Sequence, residues 1–539
     1  MEQRTTDEVW RQITERLNQD SDHRFNTFDE VCGKWAHDRS KLALIVRHPD
    51  GSTEHWTYHR LAKQAAKASR MFAEAGLKPG DRVAAMLTRQ VEAWVTALAA
   101  WRSGLVYVPL FVGFGADAVA DRLTAAKATA VVVDHRWRDV VDEASERLDA
   151  DLDVFTVAGG RGAGLRRGDI SFWAEIERAA PDGPVADTTG DTPATLMFTS
   201  GTTSTPKGCI LPHSAFVALM PYALEVFGVD ENDLVFATSD PGWSYGLYTT
   251  GATLMALGVP RIVYTGDFDP KAWLRLMDEE EVTFIAGAPS AYRRVLEAAR
   301  RTGFPASLRG ANTAGEPLDR ETAQKWSELA GFPLRDGYGL TEVGMVLGDT
   351  IGSPVNEHGT LSGTVPGFEV ALVDDDGAPV ESGRGRVAVR RPPFQLSIGY
   401  ANAPDAWQRR WIDDWFVTDD LMERTEQGGW RFYGRADDVI VTSGYNVGPA
   451  EVESTLLEDP GVAEVAVVAA PDASRGQIVR AVVVKSREAP SDDELIKRLQ
   501  DRVRTHIGRH AYPRIVEFRD ELPRTATGKL RRASLRPTE

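Results

Sequence analysis

The chain has 539 residues, 42% hydrophobic and 26% charged, with a formal net charge of −17. That length exceeds what one hydrophobic core supports, so about two to four domains are expected, with the composition of a globular enzyme rather than of a disordered or fibrous chain. The acidic balance excludes a nucleic acid held against a basic face, so any anionic ligand must be bound by local N–H groups and a few placed cations.

Two cysteines, Cys32 and Cys209, are too few for a disulfide framework or a zinc ligand set. Residues 1–8 are polar and lack the apolar core of a signal peptide. No apolar run approaches the roughly 18 residues that span a bilayer. A reducing, cytoplasmic compartment is the expectation.

Apolar residues at helical spacing predict a helix over 59–75, followed by a short strand over 82–87 and a second helix over 91–101. Short β-branched runs at 130–133 and 154–157 predict further strands separated by helix-like stretches. That alternation predicts α/β layering with buried parallel strands. The Gly- and Arg-rich stretch 159–168 predicts a loop. From about residue 361 the character turns to β. A strand over 370–373 leads through Asp374-Asp375-Asp376-Gly377 to a strand over 385–390, and Glu426-Gln427-Gly428-Gly429 turns into 430–433. After Arg435 a compact unit follows: a strand over 439–442, a helix over 449–457, strands over 465–469 and 479–485, and a helix over 491–506. The predicted fold class is α/β: a large N-terminal domain over 1–435 with layered sheets, helices and a small β subdomain, a hinge at 436–437, and a small α+β C-terminal domain over 438–539.

The segment Leu196-Met197-Phe198-Thr199-Ser200-Gly201-Thr202-Thr203-Ser204-Thr205-Pro206-Lys207-Gly208 carries the most chemistry. An apolar strand end runs into small hydroxyl residues and glycine, then a lysine. Such a loop can offer backbone N–H groups and hydroxyls to phosphate oxygens, with Lys207 as a mobile point charge. Its order is not that of a Walker A loop. A solvated Ser/Thr/Gly turn is the plain alternative.

The segment resembles the phosphate-binding loop of the adenylate-forming superfamily, which comprises acyl-CoA synthetases, adenylation domains and firefly-type luciferases. It matches the pattern T-S-G-T-T-G-x-P-K-G at nine of ten positions. By that resemblance Thr199, Ser200, Gly201, Thr202, Thr203 and Lys207 belong to the ATP site. Ala314-Gly315-Glu316-Pro317-Leu318 looks like the segment that flanks adenine. Asp336-Gly337-Tyr338-Gly339-Leu340-Thr341-Glu342 resembles the Y-G-x-T-E motif, which implies Tyr338 on adenine, Thr341 at the α-phosphate and Glu342 as a Mg²⁺ ligand. Magnesium takes oxygen ligands and keeps waters, so one carboxylate plus phosphates suits it. Trp415-Phe416-Val417-Thr418-Asp419-Asp420 resembles the T-G-D motif. That makes Asp420 the candidate for the ribose hydroxyls, since a carboxylate can accept two hydrogen bonds. Gly434-Arg435-Ala436-Asp437-Asp438 matches the hinge motif, with Arg435 near ribose and Asp437 as the pivot. The stretch 443–453 resembles the loop beside the coenzyme A channel, with Ser443, Gly444 and Tyr445 as its candidates. Residues 523–530 match P-R-T-x-x-G-K, with Lys529 stabilising the charge that develops in adenylation. Residues 109–115 and 117–123 resemble the acetyl-CoA and medium-chain acyl-CoA synthetase branch.

The resemblance implies that a carboxylic acid is activated with ATP and Mg²⁺ as an acyl-adenylate and then transferred to coenzyme A. It also implies a mobile C-terminal domain, which presents Lys529 for one half-reaction and the 443–448 loop for the other, with Asp437 absorbing the rotation. Trp243, Ser244 and Tyr245 would line the acyl pocket. Gly339 stands where acetate-specific relatives carry Trp, so an opened pocket and an acid larger than acetate are expected.

Two departures bear on adenylation. Asn446 stands where many relatives have Arg, and Asp419 replaces the usual Gly before Asp420, adding negative charge beside the nucleotide. Together they keep open an enzyme that mainly runs the thioester half-reaction from an acyl-adenylate. A second alternative is an adenylation protein that loads a carrier-protein thiol. A third is a serine hydrolase: Gly242-Trp243-Ser244-Tyr245-Gly246 fits G-x-S-x-G, with 234–238 as its strand and His506 or His510 as base. Pro241 intrudes on that elbow, and the phosphate loop and Lys529 go unexplained by it. His213 reads as a capping or packing residue rather than a base. The acid itself and the oligomeric state are not legible.

Overall fold

The protein is seen in a computed structural model that describes residues 5–149, 151–159, 164–166, 168–199, 206–353, 360–436, 438–442, 445–472, 475–509, 511–524 and 530–536, without the side chains of 441, 445, 446, 476 and 533.

Arg82–Met86 lies between Val106–Pro109 and Ala130–Asp134, all parallel, and the run continues through Asp153–Val157 to Ile170–Ser171. Their Ala- and Val-rich sequences suit strands buried on both faces. On the other side Pro193–Thr199 pairs with Val106–Pro109 and turns back antiparallel as Lys207–Pro212, and Gly399–Tyr400 completes eight strands. Helix Val91–Arg102 is buried along its whole length, as its nearly continuous apolar sequence requires. Helix Tyr58–Glu74 packs beside it, capped by the Thr57 hydroxyl, which accepts the Arg60 N–H at 3.2 Å.

A second, nine-stranded sheet has Arg261–Tyr264, Val235–Ala237, Phe284–Gly287, Gly310–Ala314 and Arg335–Leu340 as its parallel centre. Helices Pro270–Glu279, Pro289–Thr302 and Arg320–Ala330 contribute to the core against it. Its far edge comes from the hairpin Leu42–Arg47 and Thr53–Thr57, which docks on Arg261–Tyr264. A six-stranded antiparallel sheet spans residues 360 to 435. The last sheet, five strands between Ile440 and Phe518, packs with helices Pro449–Leu457 and Asp492–His506 around a core of its own. No helix among the described residues is long and apolar enough to cross a membrane.

The α/β class is observed, and predicted elements before residue 160 lie within a residue or two of the observed ones. The strands expected at 465–469 and 479–485 are longer, Val462–Asp472 and Gly476–Lys485, because they form one continuous antiparallel hairpin whose ladder carries polar residues along. Of the loop expected at 159–168, residues 160–163 and 167 lie outside the described set.

His213 sits at the end of the hairpin strand, fully buried. Its Nδ1 accepts the Thr27 N–H at 3.0 Å, and the Thr27 hydroxyl donates to the His213 carbonyl at 2.8 Å. The ring therefore pins the N-terminal helix Thr27–Val31 to the hairpin, the packing role its sequence context suggested. Burial lowers its pKa from 6.5 to about 3. The unfolded chain takes up a proton at this ring below about pH 6.5, whereas the folded ring stays neutral to about pH 3. The stability it contributes is thus complete above 6.5 and is lost as pH falls. At ~1.4 kcal/mol per pH unit, acidification from about pH 6.5 to about pH 5 should remove about 2 kcal/mol through this one group. Urea unfolding at the two pH values should show that loss, and His213→Asn, which keeps an acceptor for Thr27, should flatten the dependence.

Candidate active site

The carboxyl ends of the parallel strands in both large sheets open on one cleft of about 1540 Å³. Open α/β sheets place ligands at that edge. Residues 459–464, 485–488 and Arg524 of the C-terminal unit close it from the other side. Basic and acidic side chains are equally numerous along its described walls, so the cleft escapes the acidic balance of the chain.

At one end Thr199 pairs with Lys207, so the segment between them joins two antiparallel strands rather than a strand and a helix. Ser200, Gly201, Thr202 and Thr203 lie outside the described residues. The Thr199 hydroxyl donates to the Lys207 carbonyl at 3.4 Å. The Asn402 side chain accepts the Gly208 N–H at 2.9 Å and donates to the Pro206 carbonyl at 2.9 Å, clasping the lysine's backbone on both sides. The Lys207 ammonium stands 5.6 Å from the centre of the Tyr400 ring. The Tyr400 hydroxyl donates to Glu342 Oε1 at 2.7 Å. Burial, and then the Glu342 carboxylate, push the phenol above its ordinary range, so it stays a neutral donor.

Glu342 and Thr341 both face the cleft. The described residues gather no cluster of three or more His, Cys, Asp or Glu able to hold a metal. A magnesium ion at Glu342 would therefore complete its oxygen shell with phosphate and water, which matches the way that ion is usually held.

Asp420 lies opposite Arg435 in the strand pair, and its Oδ2 accepts the Tyr338 hydroxyl at 2.7 Å. The negative charge that Asp419 adds is compensated by its neighbours. Arg410 grips it with both terminal nitrogens, Arg435 lies at 3.3 Å and Arg386 at 3.6 Å. Burial alone would raise this carboxyl, but the Arg410 hydrogen bonds and the three cations outweigh it and hold the group below the usual carboxylate range. Asp419 is the centre of an arginine shell.

Of the adenine-side candidates, Gly315 and Glu316 line the cleft, Gly315 in the left-handed region at φ +93°. Glu316 is held by Ser290 at 3.4 Å and lies 3.9 Å from Arg293. Pro317, Asp336, Gly337 and Tyr338 do not appear among its lining residues. The Asp336 carboxyl accepts the Gly337 N–H at 2.8 Å, and burial followed by the neighbouring Asp349 pushes its pKa well up. Gly337 meets Tyr222 so closely that a Cβ would stand 1.8 Å from the phenol oxygen.

The apolar end is walled by Phe111, Leu219, Trp243, Tyr245 and Met345, with Ser244 and Gly339. The Phe111 and Trp243 rings are 5.2 Å apart. Asp240, raised by burial to about 6 despite the opposing charge of Arg89, accepts the Gly242 N–H at 2.8 Å and braces the turn that presents Trp243. Tyr245 opens a π-helical segment, Tyr245–Ala252, and its hydroxyl donates to Asn312 Oδ1 at 2.7 Å, which also accepts from Tyr222 at 3.0 Å.

Gly339 lines the cleft, but a Cβ there would lie 2.2 Å from the Gly344 carbonyl oxygen, so a larger side chain at this position requires the antiparallel neighbour to shift. Of the two bases offered for the hydrolase alternative, His506 does not line the described walls, and its Nδ1–H donates to the Arg502 carbonyl within its own helix at 2.9 Å. His510 lies outside the described residues, as do Asp437, Ser443, Gly444 and Lys529. Tyr445 and Asn446 form strand pairs with Thr442 and Val441, and their side chains are outside the described set.

Tyr400, Asn402, Arg386 and Arg410 escaped the sequence reading. Tyr400 reaches the site through pairing with Cys209, with no local pattern to mark it. The aspartate in place of glycine at 419 was the one available hint of the arginines.

The family model described as AMP-binding enzyme matches residues 30–401, and that of the AMP-binding enzyme C-terminal domain matches residues 451–529. The uncharacterized acyl–CoA ligase YtcI of Bacillus subtilis is 33% identical over 522 residues, covering 96% of each chain. Among solved structures, the Brucella canis acyl-CoA synthetase superposes with a TM-score of 0.76 at 33% identity, over 98% of this chain and 96% of that one. ATP-bound MatB from Rhodopseudomonas palustris gives a TM-score of 0.84 at 27% identity, over 95% and 98%. Matched by the two family models over most of its length and by a relative along nearly all of it, the chain belongs to the AMP-binding enzyme family.

Proposed function

We propose that the protein is an AMP-forming acyl-CoA synthetase, which activates a carboxylic acid with ATP and transfers the acyl group to coenzyme A. The observation that carries this reading is the single cleft on which Lys207, Glu342, Asp420 and Arg435 share a wall with an apolar pocket. The names of YtcI and the Brucella structure, an acyl–CoA ligase and an acyl-CoA synthetase, support it. ATP-bound MatB supports the nucleotide.

A carboxylate is a poor electrophile because oxide would have to leave. Its oxygen attacks the α-phosphorus, pyrophosphate departs, and the acyl-adenylate that forms has AMP as a good leaving group. A thiol then adds to the acyl carbon and AMP is expelled. Lys207, with the phosphate loop, would bind the β- and γ-phosphates, Thr341 would lie at the α-phosphate, and Asp420 with Arg435 would orient the ribose. Glu342 would hold a magnesium ion, whose charge offsets that of the triphosphate. Lys529 would stabilise the charge of the adenylation transition state. Ser443, Gly444 and Tyr445 would serve coenzyme A after the C-terminal unit, residues 438–539, turns about 436–437.

The arginine shell of Asp419 weakens one of the two reasons for reading the enzyme as one that mainly runs the thioester step. The acid is proposed to be larger than acetate and uncharged along its tail. Support comes from the walls of Phe111, Leu219, Trp243 and Met345, and from Tyr245, whose hydroxyl is already engaged by Asn312.

A panel of carboxylates scored by ATP–pyrophosphate exchange and separately by acyl-CoA formation tests the whole reading. Medium-chain or aryl acids should support both, acetate should be poorest, and absence of exchange with every acid would sink it. Lys529→Ala should slow exchange by about a hundredfold or more while acyl-CoA formation from a supplied acyl-adenylate changes little; equal loss in both would refute the division of labour. Gly339→Trp should depress activity on all acids together, since the indole must displace the Gly344–Gly348 strand. A shift towards short acids with total activity preserved would restore the simple pocket-gate idea.

A further inference from the structure

Tyr400 stands where opposite charges of the triphosphate site meet. Its strand is fixed to the hairpin by main-chain bonds, Ile398 N–H to the Ile210 carbonyl at 2.9 Å and Ala401 N–H to the Gly208 carbonyl at 2.8 Å. Behind it the ring packs edge-on against Trp407 at 5.2 Å, so its position is set from two sides. In front, the ring faces the Lys207 ammonium and the hydroxyl holds Glu342. Two residues on, Asn402 clasps Pro206 and Gly208.

Lys207 and Glu342 make no ion pair with each other among the described residues. In a partly desolvated cleft a lysine and a glutamate this close to a common neighbour gain by pairing directly. Direct pairing would withdraw both from a ligand. The phenol offers each a weaker partner, a ring face for the cation and a neutral O–H for the carboxylate.

We propose that Tyr400 is a positioning residue of the triphosphate site: it holds Lys207 and Glu342 apart and aimed into the cleft, while Asn402 on the same strand fixes the backbone that carries the lysine. This rests on the reading of the cleft as the site of ATP and its magnesium ion. Neither residue touches the reacting atoms. Their effect should fall on the β- and γ-phosphate end, which Lys207 and Glu342 serve, and not on AMP, which lacks those phosphates.

The test is titration calorimetry of the full-length protein with magnesium-ATP and with AMP, no acid present. Tyr400→Phe keeps the ring and loses only the hydroxyl. It should weaken magnesium-ATP binding about tenfold, the scale of one charge-assisted hydrogen bond. The Mg²⁺ concentration for half-maximal ATP binding should rise with it, and AMP affinity should move less than about twofold. A Tyr400→Phe/Glu342→Gln double variant should bind magnesium-ATP about as well as Glu342→Gln alone, because the hydroxyl acts through that carboxylate. Asn402→Ala should likewise weaken magnesium-ATP more than AMP. Unchanged magnesium-ATP binding in Tyr400→Phe, equal weakening of AMP and ATP, or additive losses in the double variant would overturn the assignment. If the unaltered protein fails to bind magnesium-ATP at all, the reading of the cleft falls, and this inference falls with it.

Discussion

The antiparallel pairing of Gly399–Tyr400 against Lys207–Pro212 is the contact on which the site hangs. It covers the hairpin strand that would otherwise end the eight-stranded sheet and brings residues of the β-rich region against the loop that precedes it by nearly two hundred positions. Through that edge, Asn402 reaches the base of the loop and Tyr400 reaches Glu342, which belongs to the other large sheet's hairpin connection. The cleft is thus a junction of two sheets held by side chains from a third segment. Loop-closure entropy for such a contact grows only slowly with length, so its cost is met by the tertiary packing already present.

A chain with this net charge binds polyanions only if charge is arranged locally. The arginine shell of Asp419 shows how that is done without loose cations. Arg410, Arg435 and Arg386 would repel one another if gathered around nothing, and an anionic ligand alone could not hold them in its absence. A half-buried carboxylate at their centre keeps them together and leaves a net positive edge. A residue that looks like an electrostatic fault in the motif is, in three dimensions, what permits the arginines to be there.

The acyl end follows a different logic. Its polar groups are satisfied internally: Tyr245 and Tyr222 share the Asn312 side-chain oxygen Oδ1, and Asp240 braces its own turn. What the pocket then offers an acid is shape and apolar surface. A π-helical segment beside it, Tyr245–Ala252, is packed so closely that a Cβ at Gly246 would lie 2.1 Å from the Asp240 carbonyl oxygen. Rigid backbone, more than side-chain size at one position, therefore bounds the space available, as Gly339 also illustrates.

The amino-acid sequence by itself determined the layered α/β architecture, because hydrophobic period and turn residues are local signals. Helices 58–74, 91–102 and 449–457 were legible in this way. It also determined the order of nucleotide motifs, because close backbone approach and phosphate contact demand particular residues at short spacing. The pairing of Leu42–Arg47 with Arg261–Tyr264 and the partners of Glu342 had no such signal, and of the arginines around Asp419 only the aspartate itself gave a hint. Each depends on which distant segments become neighbours. Gly339 shows the reason most plainly: the residue is visible in the chain, but whether the missing side chain leaves room for a ligand or for another strand is decided only by the register of the Gly344–Gly348 strand against it.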